Sequence, residues 1–187
     1  DGIVRRIDSH GIDRWQNRSL ARRRGLAGVN PDVIRLREAV EVPRPIDEVF
    51  AYVSNFGNAA QWDPGVAESR KVASGPIGVG TAFKLRVRFG PRSIPMEYAI
   101  REFDRPRRVL LEGKSDSVHA LDDIGFVATS RGTRITYTAE ISLLGALSVV
   151  EPFLKGVLDR VGKNAVRGLQ SALSGLSSPP GRSRLTD

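Results

Sequence analysis

The stretch ALSVVEPFLKGVLDRVGKNAVRGLQSALS, residues 146–174, decides the fold of this chain. Its apolar residues recur at steps of three, four or seven, the period of one face of an α-helix, and charged residues occupy the other face. Gly175 and the Ser-Ser-Pro-Pro run after it end the helix. A helix of about eight turns needs a large apolar partner surface. We therefore expect this helix to lie across a curved antiparallel sheet.

The preceding residues supply the strands of that sheet. In residues 83–89, four apolar residues alternate with three basic ones, so one face of the strand should be buried and the other exposed to solvent. A helical period after the first strand predicts a short helix over residues 45–54 and one further turn over 59–62. Because the turns are short and the helices are not interleaved with the strands, the pattern predicts an α+β fold. The predicted strands cover residues 33–42, 66–73, 83–89, 94–101, 108–113, 118–129 and 133–143.

Composition limits the kinds of protein that the chain can be. It has 187 residues, of which 40% are hydrophobic, and we expect one folded domain over residues 33–175 with a basic arm (1–32) and a disordered tail (176–187). The absence of Cys excludes disulfides, a thiol nucleophile and thiolate metal sites, and it agrees with a cytoplasmic location. We find no apolar run of membrane-spanning length and no apolar segment typical of a secretory signal.

The net charge of +8 is partly due to the basic arm. Apolar residues such as Trp15 beside the arginine run at residues 22–24 permit weak contact with an acidic membrane surface, although a solvated arm explains the same residues. The arginine run lacks the aromatic surface typical of RNA-binding proteins. We therefore expect no specific nucleic-acid partner.

Three stretches resemble a known family. They are VPRPIDEVFAYV (residues 42–53), WDPGV (62–66) and GTRITYTAE (132–140), and their order before a terminal helix is similar to the START-related lipid-binding superfamily (SRPBCC) and its polyketide cyclase/dehydrase-like proteins. The resemblance covers residues 33–174. It implies a helix-grip fold, in which a seven-stranded antiparallel sheet wraps around the C-terminal helix and leaves a hydrophobic cavity.

The same resemblance implies two functions for that cavity. Family members bind lipids, polyketides or quinone-like molecules, and some catalyse cyclisation or dehydration. Because the family shares no catalytic signature, the resemblance leaves open a carrier or sensor of a small hydrophobic molecule and a cyclase/dehydratase-like enzyme. A third, weaker hypothesis is an interaction protein that docks through its basic arm.

The candidate site residues are mostly apolar, as expected for a hydrophobic pocket. Tyr98 and Tyr137 can orient a carbonyl or hydroxyl group, and with His119 and Asp123 they are the weak acid–base candidates. Asp122 and Asp123 are adjacent on a strand and should point to opposite faces, so we do not expect a carboxylate pair, although one of them can enter the cavity. The predicted ligand-binding residues are Trp62, Phe83, Leu85, Tyr98, Phe126, Tyr137, Phe153, Val157 and Val161.

The sequence predicts neither a cofactor nor a metal site. The glycine-rich stretch GPIGVGT, residues 75–81, lacks the lysine of a phosphate-binding loop, and a strand rather than a helix follows it. The histidines do not occur at metal-binding spacings.

Overall fold

A computed structural model of the chain describes residues 33–89, 92–144 and 151–175, and for residues 89, 151–159 and 161 it describes the backbone alone. The predicted arm (1–32) and tail (176–187) lie outside the described residues. Contact of the arm with a membrane surface therefore stays a prediction.

The strands form one antiparallel sheet in the order β1-β7-β6-β5-β4-β3-β2. Successive strands pair as neighbours from β2 to β7, while β1 pairs with β7 at the other end. The turns between β4 and β7 are short, as the sequence predicts, whereas residues 72–81 form a longer connection between β2 and β3. The predicted α+β helix-grip fold is confirmed. The strands are β1 (Val33–Val42), β2 (Val66–Lys71), β3 (Ala82–Phe89), β4 (Arg92–Asp104), β5 (Arg108–Lys114), β6 (Val118–Thr129) and β7 (Gly132–Leu143).

Three helices accompany the sheet in the described part of the chain. They are α1 (Ile46–Ser54), α2 (Ala59–Trp62), which follows a 3-10 turn at Phe56–Asn58, and the long α3 (Glu151–Gly175). Pro152 lies in the first turn of α3, where its missing N–H costs no helical hydrogen bond. Residues 146–150 of the predicted helix lie outside the described residues.

One face of the sheet is buried. Along β6, Val118, Ala120, Asp122 and Ile124 are buried while the residues that alternate with them are partly exposed, so every second side chain faces the helices. Leu169 and Leu173 of α3 are each 1% exposed and belong to this core. Full burial of a leucine contributes about 1.5–3 kcal/mol. The core therefore holds α3 against the concave face of the sheet.

The packing of α3 against α2 depends on a glycine. A Cβ atom at Gly168 would lie 1.9 Å from the carbonyl oxygen of Trp62, so only glycine permits this approach. At the C-terminal end of the helix, Arg44 Nε donates a hydrogen bond to the Leu173 carbonyl oxygen at 3.1 Å. These contacts connect α3 to the end of β1 and to α2. No helix within the described residues has both the length and the apolar character needed to cross a membrane.

Replacing Gly168 should therefore destabilise the protein. In Gly168→Ala the new methyl group meets a backbone oxygen, and we expect the free energy of unfolding to fall by about 1–3 kcal/mol. Gly162→Ala is the matched control, because its Cβ atom would lie at an ordinary 3.6 Å from Leu36 Cδ1 and alanine favours a helix by about 1 kcal/mol. Urea denaturation measures the free energy of unfolding of both variants. Equal stability of the two variants would contradict the close approach.

Candidate functional site: a cavity beneath the long helix

An apolar cavity of about 150 Å³ lies between the concave face of the sheet and α3. This volume is roughly that of an engineered cavity that accepts a benzene ring. Its apolar walls come from β1, β3, β4, β6, β7 and α3 and from the segments between β1 and β3. The apolar lining residues are Leu36, Phe56, Val66, Leu85, Val87, Ile94, Met96, Val118, Ala120, Ala139, Ile141, Leu143, Ala165, Val166 and Leu169.

A buried carboxyl group, that of Asp122, lies in the wall of this cavity. Asp122 is on β6, on the same face as Ala120 and Ile124, and is 4% exposed. Two tyrosines that also line the cavity, Tyr98 of β4 and Tyr137 of β7, donate side-chain hydrogen bonds to it. Three strands thus bring one carboxyl and two hydroxyl groups together.

Gly113 makes room for one of these tyrosines. It lies on β5 opposite Tyr98 of β4, and a Cβ atom at Gly113 would lie 2.4 Å from Cζ of the tyrosine ring. The ring therefore passes across the space above β5 that a side chain would otherwise fill. This places its hydroxyl group near Asp122 on β6, the strand on the far side of β5.

The environment of Asp122 favours the protonated carboxyl group. Burial raises the pKa of Asp122 to about 7, against the lowering effect of the hydrogen bonds from Tyr137 and Tyr98. Burial, followed by the charge of Asp122, raises the pKa of both tyrosines well above the ordinary value, so both hydroxyls keep their protons at neutral pH. Asp122 Oδ2 is buried and has no hydrogen-bond partner among the residues that the structure describes.

Further polar groups extend the site towards α2. Asp63 follows this helix, and its Oδ1 accepts a hydrogen bond from the Gly65 N–H at 2.7 Å. Burial raises the pKa of Asp63 to about 6, although that hydrogen bond and the charge of Arg88 lower it. Glu38 lines the cavity from β1, where it lies opposite Tyr137.

Trp62 supplies an unpaired donor to the cavity wall. Its side chain is buried, and Nε1 has no hydrogen-bond partner in the described part of the chain. Its ring makes edge contacts with Tyr137 at 6.2 Å and with Phe56 at 6.0 Å between centroids. The site therefore combines an unpaired N–H donor with an unpaired carboxyl oxygen in an apolar setting.

The structure brings four of the predicted ligand-binding residues to the cavity: Trp62, Leu85, Tyr98 and Tyr137. Phe83 and Phe126 are buried in the core but are not among the described residues that line the cavity. Their rings instead pack against Phe56 and Phe50, respectively. The side chains of Phe153, Val157 and Val161 lie outside the described residues.

Two of the acid–base candidates must be corrected. His119 and Asp123 lie on the outer face of the sheet, because they alternate along β6 with the inward residues. His119 Nε2 lies 2.9 Å from Glu112 Oε1, and Asp123 accepts hydrogen bonds from Arg108 Nε and Nη2 at 2.7 and 2.9 Å. Neither side chain reaches the cavity.

Sequence reasoning missed Asp122 as the principal polar residue, together with Asp63 and Glu38. A signal for Asp122 was present, because it shares the parity of Val118, Ala120, Ile124 and Phe126 and must face the core with them. Glu38 gave the same signal, because it shares the parity of Leu36 and Val40 on β1. Asp63 gave none, because it lies in the segment after α2 and its position depends on how α2 meets α3.

The sequence and the fold agree with one family. The model of the family described as polyketide cyclase / dehydrase and lipid transport matches residues 33–176. The chain belongs to this family. The START-related resemblance of the sequence is thereby confirmed. A search of curated proteins finds no match to the chain.

Solved structures show the same fold for this polyketide cyclase/dehydrase family member. A protein of Thermus thermophilus is 15% identical with a TM-score of 0.66, and the alignment covers 77% of this chain and 99% of that one. A START superfamily protein of Mycobacterium smegmatis is also 15% identical, with a TM-score of 0.65 and coverage of 76% and 99%. The Zhui aromatase/cyclase of a Streptomyces species is 14% identical, with a TM-score of 0.60 and coverage of 76% and 92%.

The raised pKa of Asp122 predicts how stability changes with pH. The folded protein holds this proton up to about pH 7, whereas the unfolded chain releases it near the ordinary value of 3.8. Between these values, Asp122 alone should lower the free energy of unfolding by roughly 1.4 kcal/mol per pH unit as the pH rises. Urea denaturation at several pH values should show that the free energy of unfolding of Asp122→Asn, relative to that of the wild type, rises with pH throughout this interval.

Asp63→Asn provides the matched comparison. Because the pKa of Asp63 is raised to about 6, the free energy of unfolding of this variant, relative to that of the wild type, should rise with pH only up to about that value. A pH-independent difference between Asp122→Asn and the wild type would contradict the burial of a protonated Asp122.

Proposed function

We propose that the protein binds a small hydrophobic molecule, such as part of a lipid, a polyketide or a quinone, in the cavity between the sheet and α3. The observation that carries the proposal is an apolar cavity whose wall holds two buried polar atoms, Asp122 Oδ2 and Trp62 Nε1, that have no hydrogen-bond partner among the described residues. Leaving a buried polar group unpaired costs about 1–3 kcal/mol. A ligand that hydrogen-bonds to these atoms removes that cost. Binding would make the protein a carrier or a sensor.

The size of the cavity limits what it can enclose. At about 150 Å³ it is smaller than the roughly 300–1,000 Å³ of pockets for drug-sized ligands. It accommodates one ring or a short branched chain. A larger ligand would place that portion inside, with its polar group towards Asp122 and Trp62. The family description, which includes lipid transport, supports a binding role.

Filling the cavity should abolish binding. Ala165 of α3 lines the cavity, and Ala165→Leu would occupy much of its volume with little change in helix propensity. For the wild type, a ligand at one hundred times its dissociation constant adds about 2.7 kcal/mol of stability, which raises the thermal midpoint. Small aromatic alcohols and quinones are suitable probes. The midpoint of Ala165→Leu should not respond to a probe that stabilises the wild type.

Ala39→Leu is the control for this substitution. Ala39 is exposed on β1, so the same change in side chain leaves the cavity unaltered and the ligand response should match the wild type. An undiminished response of Ala165→Leu would place the binding site elsewhere. A wild type that responds to none of the probes would remove the proposal.

A second function, cyclisation or dehydration of a polyketide-like substrate, is favoured by the convergence of Asp122, Tyr98 and Tyr137. A carboxyl group with a pKa of about 7 suits general acid–base chemistry at neutral pH. Ionised Asp122 would remove a proton from a carbon between two carbonyl groups. That carbon would then attack the carbon of a different carbonyl group farther along the substrate. The oxygen of the attacked carbonyl would take a proton from the protonated Asp122 or from a tyrosine hydroxyl. Loss of water would follow. The similarity in fold to an aromatase/cyclase supports this alternative.

Mass spectrometry separates the two functions, because a carrier returns its ligand unchanged while a cyclase yields a product that is lighter by one water. If the protein is an enzyme, Asp122→Asn should lower the rate on a synthetic poly-β-ketone by about 100-fold or more. His119→Asn, on the outer face, should leave the rate unchanged. If the substrate is recovered intact from the wild type, the enzymatic function is contradicted and only the binding function remains.

A further inference from the structure

The charged groups that line the cavity are mainly acidic. Among the described lining residues, Glu38, Asp63 and Asp122 carry carboxyl groups, while Arg88 carries the cationic group. Arg88 Nη1 already donates hydrogen bonds to two backbone carbonyls, those of Pro64 at 2.6 Å and Val66 at 2.9 Å. The guanidinium group is thus held at the wall by the backbone. The cavity has an excess of negative charge when its carboxyl groups are ionised.

The donors near Asp122 leave one of its oxygens unsatisfied. Tyr98 and Tyr137 both donate to this carboxyl group, yet Oδ2 meets no donor among the described residues. The side chain is more than nine-tenths buried and lines the cavity. Buried polar atoms in proteins are normally paired, so an unpaired oxygen at an internal cavity indicates a position for a ligand donor.

We propose that the cavity selects a ring-sized ligand that bears a protonated amine, and that the ammonium group donates a hydrogen bond to Asp122 Oδ2. The inference rests on the proposed binding function and names the class of its ligand. Ligands with carboxylate or phosphate groups are rejected, because their charge repels Asp122, Asp63 and Glu38 in a setting that water screens poorly. The nearby rings of Trp62 and Tyr137 also favour a cation.

This binding mode is coupled to a proton. The groups that share the cavity with Asp122 are Glu38 from β1, Asp63 after α2, Arg88 from β3, Tyr98 from β4 and Tyr137 from β7. Because burial raises the pKa of Asp122 to about 7, a bound ammonium must displace a proton from this carboxyl group at lower pH. The affinity for an amine therefore rises with pH through this region, whereas the affinity for a neutral alcohol does not depend on ionised Asp122.

Three probes of equal length test the proposal: 2-phenylethylamine, 2-phenylethanol and phenylacetate. Isothermal titration calorimetry at about pH 8 should give an affinity for the amine about tenfold above that for the alcohol and about 100-fold above that for the carboxylate. At about pH 6 the affinity for the amine should fall about tenfold, since the ionised fraction of Asp122 falls by that factor. In wild-type protein near pH 7, titrations in buffers of different ionisation enthalpy should detect release of a proton when the amine binds.

Two variants of adjacent residues provide the control. Asp122→Asn should bind the amine no better than the alcohol, whereas Asp123→Asn, on the outer face, should keep the wild-type preference. Three measurements need only the wild type: the ranking of the probes, the pH dependence of amine binding and the release of a proton. They test the proposal even if Asp122→Asn does not fold. Phenylacetate binding as tightly as the amine would overturn this inference and leave the binding function intact. Failure of all three probes to bind would overturn both.

Discussion

Closure of the concave face of the sheet by α3 is the packing on which the rest of the structure depends. A seven-stranded sheet with one apolar face cannot leave that face in water, and α3 supplies the apolar stripe that covers it. The helix meets α2 where Gly168 lies against the Trp62 carbonyl, and it is joined to β1 through Arg44. Away from these contacts, an unfilled volume remains between the helix and the curved sheet, and this volume is the cavity.

The polar groups of the cavity work against stability. Burial of Asp122 raises its pKa to about 7, which means that the fold resists ionisation of this group. Two buried polar atoms in the wall also have no hydrogen-bond partner within the part of the chain that the structure describes. A core that served stability alone would be better filled with apolar side chains. Polar groups that are buried at a cost in stability are typical of functional sites. The arrangement thus links the fold to binding: the features that weaken the empty protein are those that a suitable ligand satisfies.

Much of the fold could be predicted from the sequence, because alternation and helical periodicity are properties of the chain itself. The strands and the long helix lie near their predicted positions; β4 extends to Asp104, beyond the predicted limit, because it continues to pair with β5. The aromatic side of the site could also be predicted, since Trp62, Tyr98 and Tyr137 fall on core-facing positions.

The polar side of the site required the structure. The parity of β6 distinguishes Asp122 from Asp123, but parity does not show that two tyrosines from other strands converge on the inward carboxyl group. That convergence depends on Gly113, whose missing side chain leaves space for the Tyr98 ring across β5. The inclusion of Asp63 depends in turn on where α2 meets the long helix. Such distances between elements are not encoded in any local pattern.

The central claim, that α3 and the sheet enclose a binding cavity, is tested most directly by nuclear Overhauser effects between a bound ring probe and alanine methyl groups. Ala120 of β6, Ala139 of β7 and Ala165 of α3 line the cavity from three elements, whereas Ala39 and Ala99 lie on alternate positions of β1 and β4 that face away from it. We predict contacts from the probe to the methyl groups of Ala120, Ala139 and Ala165 together. Contacts confined to Ala39 or Ala99 would contradict the account.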